Sequence, residues 1–482
     1  MSDECEPMAR LGKSVLAALP SEVSTPTYLD DDIRIGIVHF GVGNFHRAHQ
    51  ATYIDRLLHT GESRDWAICG VGMLERDERM LAALNAQDGL YTLTLRHADG
   101  SDEISVIGSM HRVLHAPDDP EAVFDQLVDP SVRIVSLTIT EGGYVEDPIG
   151  GKRAADDPLV IAETADDLTT PRTVFGWIVA TLRERRRRGI PAFTVLSCDN
   201  VPGNGAVARR CVDAVARLVD PELADWIASE VAFPSTMVDR ITPVTVEADV
   251  DRIRDRLGVE DSRPVTAEPF RQWVIEDDFP TGRPDFGAAG ATMVADVHAY
   301  ETIKIRLLNG GHQAIAYLGQ LAGHEYVHEA LGDPHIADFV RTYMEEDAVP
   351  TLRVPNGFDL PDYIDELFRR FSNPAIADTL ARLGTDASNR IPKFVLPTII
   401  DRLAAGEVPR AGARLIASWR ELTRRAALGK FVLDDEAASV LLTASSSSPV
   451  DFLHALPALA RLGDHDGFVG AYVAAAEDLA AR

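Results

Sequence analysis

The chain has 482 residues, 45% of them hydrophobic and 25% charged, the composition of a globular protein with sizeable cores rather than a disordered or fibrous one. At roughly 150 residues per domain that length implies two to four domains, and we expect two. A formal net charge of −28 opposes non-specific binding to nucleic acid and to anionic membrane surfaces, which leaves small molecules as the expected partners.

The N-terminal stretch MSDECEPMAR lacks a basic region followed by an apolar one, and no apolar run of about 18 residues occurs, so a cytoplasmic protein is expected. Cys5, Cys69, Cys198 and Cys211 are scattered without a CxxC pair, which fits neither a disulfide framework nor a structural zinc site.

Residues 1 to 30 read as a leader segment packed across the first domain. The first clear strand, Ile33 to Phe40, runs into GVGNFHRAHQATYIDRLL, where Gly41 and Gly43, then Asn44 and Phe45, precede a helical pattern with apolar residues at Tyr53, Ile54, Leu57 and Leu58. A strand, a glycine turn and a helix start suit a pyrophosphate, because free backbone N–H groups point outward and glycine permits close approach. The third glycine of the dinucleotide pattern is replaced by His46, so the context carries this reading more than the triplet does. After the second strand, Trp66 to Gly72, Asp77 is placed to hold the ribose hydroxyls of NAD, whereas Arg76 beside it suits the 2′-phosphate of NADP; both residues also fit a solvated helix start.

Strands are expected at Tyr91 to Arg96, Ile104 to Ile107, Val132 to Thr140 and Phe193 to Ser197, with helices at Glu121 to Leu127 and Val174 to Arg187, an α/β alternation. The run Arg183 to Arg188 suits a solvated helix C-terminus. TEGGY places Glu141 at a glycine-rich strand end, where open sheets keep their ligands, or else in a plain turn. Asn200, in the turn-rich CDNVPGNG, could aim its amide at a carbonyl or alkoxide oxygen or serve the turn alone. Asp239, in FPSTMVDRITP, could accept substrate hydroxyls or pair with Arg240.

The Gly, Pro and Asp-rich stretch 276 to 296 ends the first domain, residues 1–296, and residues 297–482 read as helices. These are expected near 297–321, 334–346, 360–371, 374–383, 395–404, 410–425, 433–443 and 466–481. The first contains ETIKIRLLNGGHQAIAYLG, Glu301 to Gly319. At α-helical spacing Lys304, Asn309 and His312 span an arc of roughly 140°, and all three could line one pocket. They also fit a core helix with a snorkelling amine, a bonded amide and a satisfied imidazole. Gly310 and Gly311 each cost the helix about 1 kcal/mol relative to alanine, which suggests that something approaches the backbone closely there.

Across residues 41 to 378 the motifs GVGNFHRAHQ, LTITEGGY, SCDNVPGNG, FPSTMVDRITP, EPFRQWVIED, KIRLLNGGH and RFSNPAIAD follow one another in the order found in the mannitol dehydrogenase family of polyol-specific long-chain dehydrogenases, which the chain resembles. The resemblance implies an α/β, Rossmann-type dinucleotide-binding domain followed by a mostly α-helical one. It further implies a substrate cleft between them, NAD with NADP possible, no metal and a monomer. It makes Lys304 the general base, has Asn200 and Asn309 polarise the reacting oxygen and has His312 orient the substrate. Glu301, Asp239, Arg382 and Glu141 match further substrate positions. One departure is DASNR, Asp386 to Arg390, where Ala387 replaces a usual glycine.

Reversible hydride transfer between a polyol such as D-mannitol and a ketose such as D-fructose needs a base for the hydroxyl proton and donors for the developing alkoxide. A free lysine, pKa about 10.4, is neutral in about one molecule in 2,500 at pH 7, and lowering it to about 8 raises this to roughly one in ten. Desolvation on an apolar helix, with nearby cations, would supply that shift, and arginine could not substitute. Alternatives are a related polyol (arabinitol, sorbitol) dehydrogenase and a uronate (fructuronate, tagaturonate) reductase using Arg382, Arg390 or Lys393 for a carboxylate. More remote are a metal enzyme built on His46 and His49 and an NAD-binding sensor without turnover.

Overall fold

The computed structural model describes residues 8–29, 32–146 and 153–481, so Cys5 lies outside the described residues. The chain divides into two compact units, Met1–Val297 and His298–Arg482.

The first unit is built on a five-stranded sheet. The strands of this unit are β1 (Ile35–Phe40), β2 (Ala67–Gly72), β3 (Tyr91–Arg96), β4 (Asp102–Ile107), β5 (Met110–His115), β6 (Ile134–Leu137), β7 (Thr194–Ser197), β8 (Thr236–Asp239), β9 (Val265–Ala267), β10 (Gln272–Glu276) and β11 (Thr292–Val294). The order in the main sheet is β5-β2-β1-β6-β7, and every neighbouring pair is parallel. Strand order reverses between β1 and β6, the place where open α/β sheets bind ligands. β2, β6 and β7 are buried along their whole length, as expected of strands covered by helices on both faces. Two smaller sheets, β11-β10-β8 and β4-β3-β9, complete the unit.

Residues 8–29 do pack on this unit. Arg10 bridges to Glu260 and Ser24 to Ser105, while Leu11, Val23 and Tyr28 are buried. The arginine run differs from expectation at one position. Arg185 is buried, and its guanidinium donates to the carbonyls of Pro191, Leu127, Asp129 and Val132 at 2.8 to 3.0 Å, pinning the helix Val174–Arg188 to the loops around it. Strand β5 has no counterpart among the expected elements. Its sequence, MHRVLH, buries only Met110 and Val113 fully among six residues, so its hydrophobic pattern is weak.

The second unit is helical. Its longest helix, Arg410–Ala427, lies against Asp466–Ala480, Gly310–Ala322 and Ala438–Ser445, with the buried Trp419 set edge-on to Phe452 at 5.1 Å. The helix expected over 374–383 is reduced to Leu380–Gly384, because Ala377 takes a left-handed φ of 50° that no helix accommodates. Among the described residues no helix is long and apolar enough to cross a membrane.

Candidate active site

In the second unit the chain stays helical from His298 to Ala322 but changes its hydrogen bonding midway. His298–Ile303 is α, Lys304–Asn309 is a π-helix, and Gly310–Ala322 returns to α. This corrects the α-helical spacing assumed from sequence. In a π-turn the bonds join residues five apart, so Lys304 and Asn309 are brought toward one face instead of standing about 140° apart. Glu301 precedes Lys304 by three positions and His312 follows Asn309 by three, and residues three apart in a helix are neighbours. The result is one polar stripe. Its four members are 8%, 7%, 8% and 9% exposed, whereas Ile303 and Leu307 beside them are 1% and 0%. The stripe is thus buried, and four polar or ionisable side chains share one enclosed face. Arg306 leaves in another direction, donating to the Thr351 carbonyl at 3.2 Å and pairing with Asp401 at 2.7 Å.

The glycines are explained by what lies against them. A methyl on Gly310 would meet the Tyr343 hydroxyl at 2.5 Å, and one on Gly311 would overlap Met344 Cε. The His312 ring packs on Phe371 with centroids 4.4 Å apart. Lysine is rare in this chain, with five against 42 arginines, so the amine at 304 stands where the chain's usual cation does not. Arginine stays charged at any working pH and could not take a proton.

Arg382 is placed differently from the stripe. Its guanidinium grips both oxygens of Asp378 at 2.7 and 2.5 Å, and its side chain is 57% exposed. Arg390 donates to the carbonyls of Arg382 and Leu383. Asp386, preceding the departed-from glycine position, adopts φ 51°, and Ala387 is fully buried at the start of the helix Ala387–Phe394.

In the first unit the turn after β1 is held from below. Gly41 has φ 98°, and a Cβ there would overlap the Thr138 carbonyl. His39 Nδ1 meets the Ser136 hydroxyl at 2.8 Å and its Nε2 meets Thr138 Oγ1 at 2.8 Å and the Gly41 carbonyl at 3.1 Å. His46, at the place of the missing glycine, stacks on the His39 ring at 3.5 Å, and burial lowers both imidazoles, His39 to about 3. Gly43 differs from Gly41, because a Cβ there would meet nothing within 4 Å. It is the N-cap of the helix Asn44–Ala48, and no side chain caps that first turn, an arrangement that fits an anion's approach. The Asn44 side chain bonds Thr245, the Pro243 carbonyl and Arg47, and Phe45 stacks on His49, so these side chains shape the turn, while the Gly41 and Gly43 N–H groups donate to the Val71 and Gly41 carbonyls at 3.0 and 2.8 Å.

Past β2, Asp77 Oδ2 accepts the backbone N–H groups of Met73 and Leu74 at 3.2 and 3.0 Å, while Arg76 is exposed. A cavity of about 640 Å³ opens beside this turn, lined by Met73, Ala116, Phe124, Leu168 and Trp177 among others. Its walls, at the ends of β2 and β5, mix these apolar side chains with Glu121, Arg172, Arg183 and Glu184.

Past β6 and β7, sequence reasoning missed the residue that ties the loops. Asp199 is buried and accepts the N–H groups of Ile139 and Thr140 at 3.2 and 2.8 Å and the Tyr144 hydroxyl at 2.8 Å, with its carboxyl pushed up by burial. Thr140 is thereby held at φ 63°, a conformation rare for a β-branched residue and costing about 1–3 kcal/mol. The clamp joins the turn of Glu141 to the loop of Asn200, both of which are exposed. Its only sequence signal is its place beside Asn200. Asp239 is buried at the end of β8, opposite Gln272, and Arg240 does not turn back to it but donates to the carbonyls of Glu268 and Ala48 at 2.9 and 2.6 Å. His49 Nε2 meets the Gln272 carbonyl at 2.8 Å, and among the described residues no three His, Cys, Asp or Glu side chains converge as a metal site.

The sequence model of the mannitol dehydrogenase Rossmann domain matches residues 35–287, and that of the mannitol dehydrogenase C-terminal domain matches residues 296–475. Mannitol 2-dehydrogenase of Cereibacter sphaeroides is 47% identical over 400 residues, 82% of each chain, and that of Aspergillus terreus is 45% identical over 411 residues, 84% of this chain and 82% of the relative. Among solved structures, Pseudomonas fluorescens mannitol 2-dehydrogenase in a ternary complex with NAD and D-mannitol is 42% identical with a TM-score of 0.86, covering 98% of this chain and 97% of that one. A substrate-free D-sorbitol dehydrogenase is 37% identical with a TM-score of 0.90, covering 98% of both. With both domain models matched in order and relatives this similar along most of its length, the chain belongs to the mannitol dehydrogenase family.

Proposed function

We propose that the protein is an NAD-dependent polyol dehydrogenase that interconverts a polyol, D-mannitol foremost, and its ketose, D-fructose. The observation that carries this reading is the buried stripe Glu301, Lys304, Asn309 and His312, aligned by the π-turn. The relative solved with NAD and D-mannitol supports the cofactor and substrate, and the D-sorbitol dehydrogenase keeps sorbitol as the second substrate to consider.

The proton path follows from the side chains. Lys304 Nζ, neutral, takes the hydroxyl proton of the polyol as the alkoxide forms, and as ammonium it returns that proton in ketose reduction. Asn309 Nδ2 donates to the reacting oxygen, and the resemblance gives Asn200 the same part. Fixed donors of this kind are worth about 10²-fold in rate. His312 orients the substrate, and Glu301, Asp239, Glu141 and Arg382 keep the substrate-contact roles that the resemblance gives them. The first-turn N–H groups of Asn44 and Phe45 hold the cofactor's pyrophosphate, for which Gly41 shapes the turn and Gly43 leaves room. The cavity of Met73, Ala116 and Phe124 takes the adenine, and Asp77 the ribose, with Arg76 the residue that would admit NADP. When bound, NAD supplies the oxidant, accepting hydride from the carbinol carbon.

The test is nicotinamide absorbance with mannitol, sorbitol, arabinitol and fructuronate, each with NAD and NADP, for the parent and Lys304→Ala. Turnover of mannitol with NAD, lost by at least about 10²-fold in the variant with NADH affinity retained, is the expected result. Near-parental turnover in Lys304→Ala removes the amine as base, and cofactor binding without turnover of any substrate points to a sensor.

A further inference from the structure

The π-turn Lys304–Asn309 is packed against a second π-turn, Tyr343–Ala348, which continues the helix Pro334–Thr342. π-turns are rare and frequently mark functional sites, so a neighbour that selects one is itself of interest. Tyr343 is that neighbour. Its ring is fully buried, with the hydroxyl and Cε1 only 2.5 and 3.0 Å from where a Cβ on Gly310 would stand. The hydroxyl is buried and faces the equally buried Thr398 hydroxyl, so it is confined between that side chain and the glycine junction. Met344 presses on Gly311 in the same way. Both glycines sit immediately after Asn309, so the close approach falls at the junction where π bonding gives way to α.

We propose that Tyr343 is a positioning residue: its phenol, lodged on the glycine junction, holds the preceding turn in π form and thereby keeps the Lys304 amine and the Asn309 amide on one face. Relaxation to α spacing would turn Asn309 about 140° from Lys304 and leave the reacting oxygen with base or donor but not both. This rests on the roles given to Lys304 and Asn309 in the proposed function.

The test compares Tyr343→Phe, Gly310→Ala and the two combined, with Lys304→Ala alongside. Tyr343→Phe keeps the ring and is expected to hold kcat within about threefold. Gly310→Ala forces the added methyl against the phenol, and kcat should fall on the order of 100-fold, the scale of a 1 Å misplacement. NADH affinity stays parental, and the pH midpoint of kcat for polyol oxidation moves upward as the amine loses its apolar bed. In the double variant the methyl occupies the space the hydroxyl vacates, and kcat should recover at least about tenfold over Gly310→Ala. Should Gly310→Ala fail to fold, Tyr343→Ala replaces it, with the same loss of kcat and the same pH shift expected. Parental kcat and pH profile in Gly310→Ala or Tyr343→Ala, or no recovery in the double variant, overturns the positioning role. Turnover surviving Lys304→Ala instead overturns the reading on which it rests.

Discussion

Gly41 and Gly43 stand two residues apart in one turn and answer to different constraints. Gly41 needs its positive φ and has no room for a side chain, so Gly41→Ala is expected to destabilise the fold by more than about 1 kcal/mol and to lower the melting temperature. Gly43 has ordinary φ and open space, so Gly43→Ala should melt as the parent does. If the pyrophosphate sits over it, NADH affinity should still fall about tenfold or more, read by nicotinamide fluorescence; unchanged affinity would move the phosphate elsewhere. At this scale the sequence was a good guide where chemistry needs a residue type. Lys304, Asn309 and Asp239 stood out as polar groups in apolar settings, and the glycine pair at 310 and 311 announced a close neighbour. Asp199 stayed hidden, because a carboxylate that serves backbone N–H groups across two loops leaves no local pattern.

Arg185 shows how an element's role depends on one member of a run. Its neighbours Arg186, Arg187 and Arg188 are exposed, whereas Arg185 serves four carbonyls from inside the fold. Arg185→Met should therefore lower stability by about 3 kcal/mol, since it leaves buried carbonyls unpaired, and Arg188→Met by well under 1. Thermal or urea unfolding measures both, and equal effects would show that Arg185 is not the fastener. Long elements with clean periodicity, such as β1 and the helix Leu360–Phe371, were legible from residue order alone. Two kinds were not. β5 carries His111, Arg112 and His115 on an edge strand, and the π-turn has the composition of the α-helix around it, since its geometry is chosen by Tyr343 and Met344 more than 30 positions on.

On the scale of the molecule, buried neutral histidines make the first unit sensitive to acid. Burial lowers His39 and His49 to about 3 and holds His46 well below the ordinary histidine range, so the unfolded chain takes up protons below pH 6.5 that the folded chain refuses. Stability is thus intact above about pH 6.5 and falls as pH drops toward 3. At pH 5 His39 and His49 together cost about 4 kcal/mol, a large share of a typical domain's stability. Tryptophan emission can follow this, because Trp66, Trp177, Trp226 and Trp273 belong to the first unit and Trp419 to the second. The expected result is a loss of urea resistance between pH 7 and 5 carried by the first unit's tryptophans, and a flat response would remove the histidines as its cause. The α/β then helical succession was legible at this scale because strand and helix periodicities separate along the chain, and so were β3 and β4, while β8 to β11, which complete the two small sheets, were not, β9 and β11 being only three residues long.

The near-exclusive use of arginine for positive charge has a practical side. Protein grown on lysine labelled at the ε-carbon would display only five side-chain resonances, and Lys13, Lys393 and Lys430 are exposed. The signal of the enclosed amine at 304 can then be watched by itself as acidity varies, giving its protonation directly in the resting protein with no substrate present.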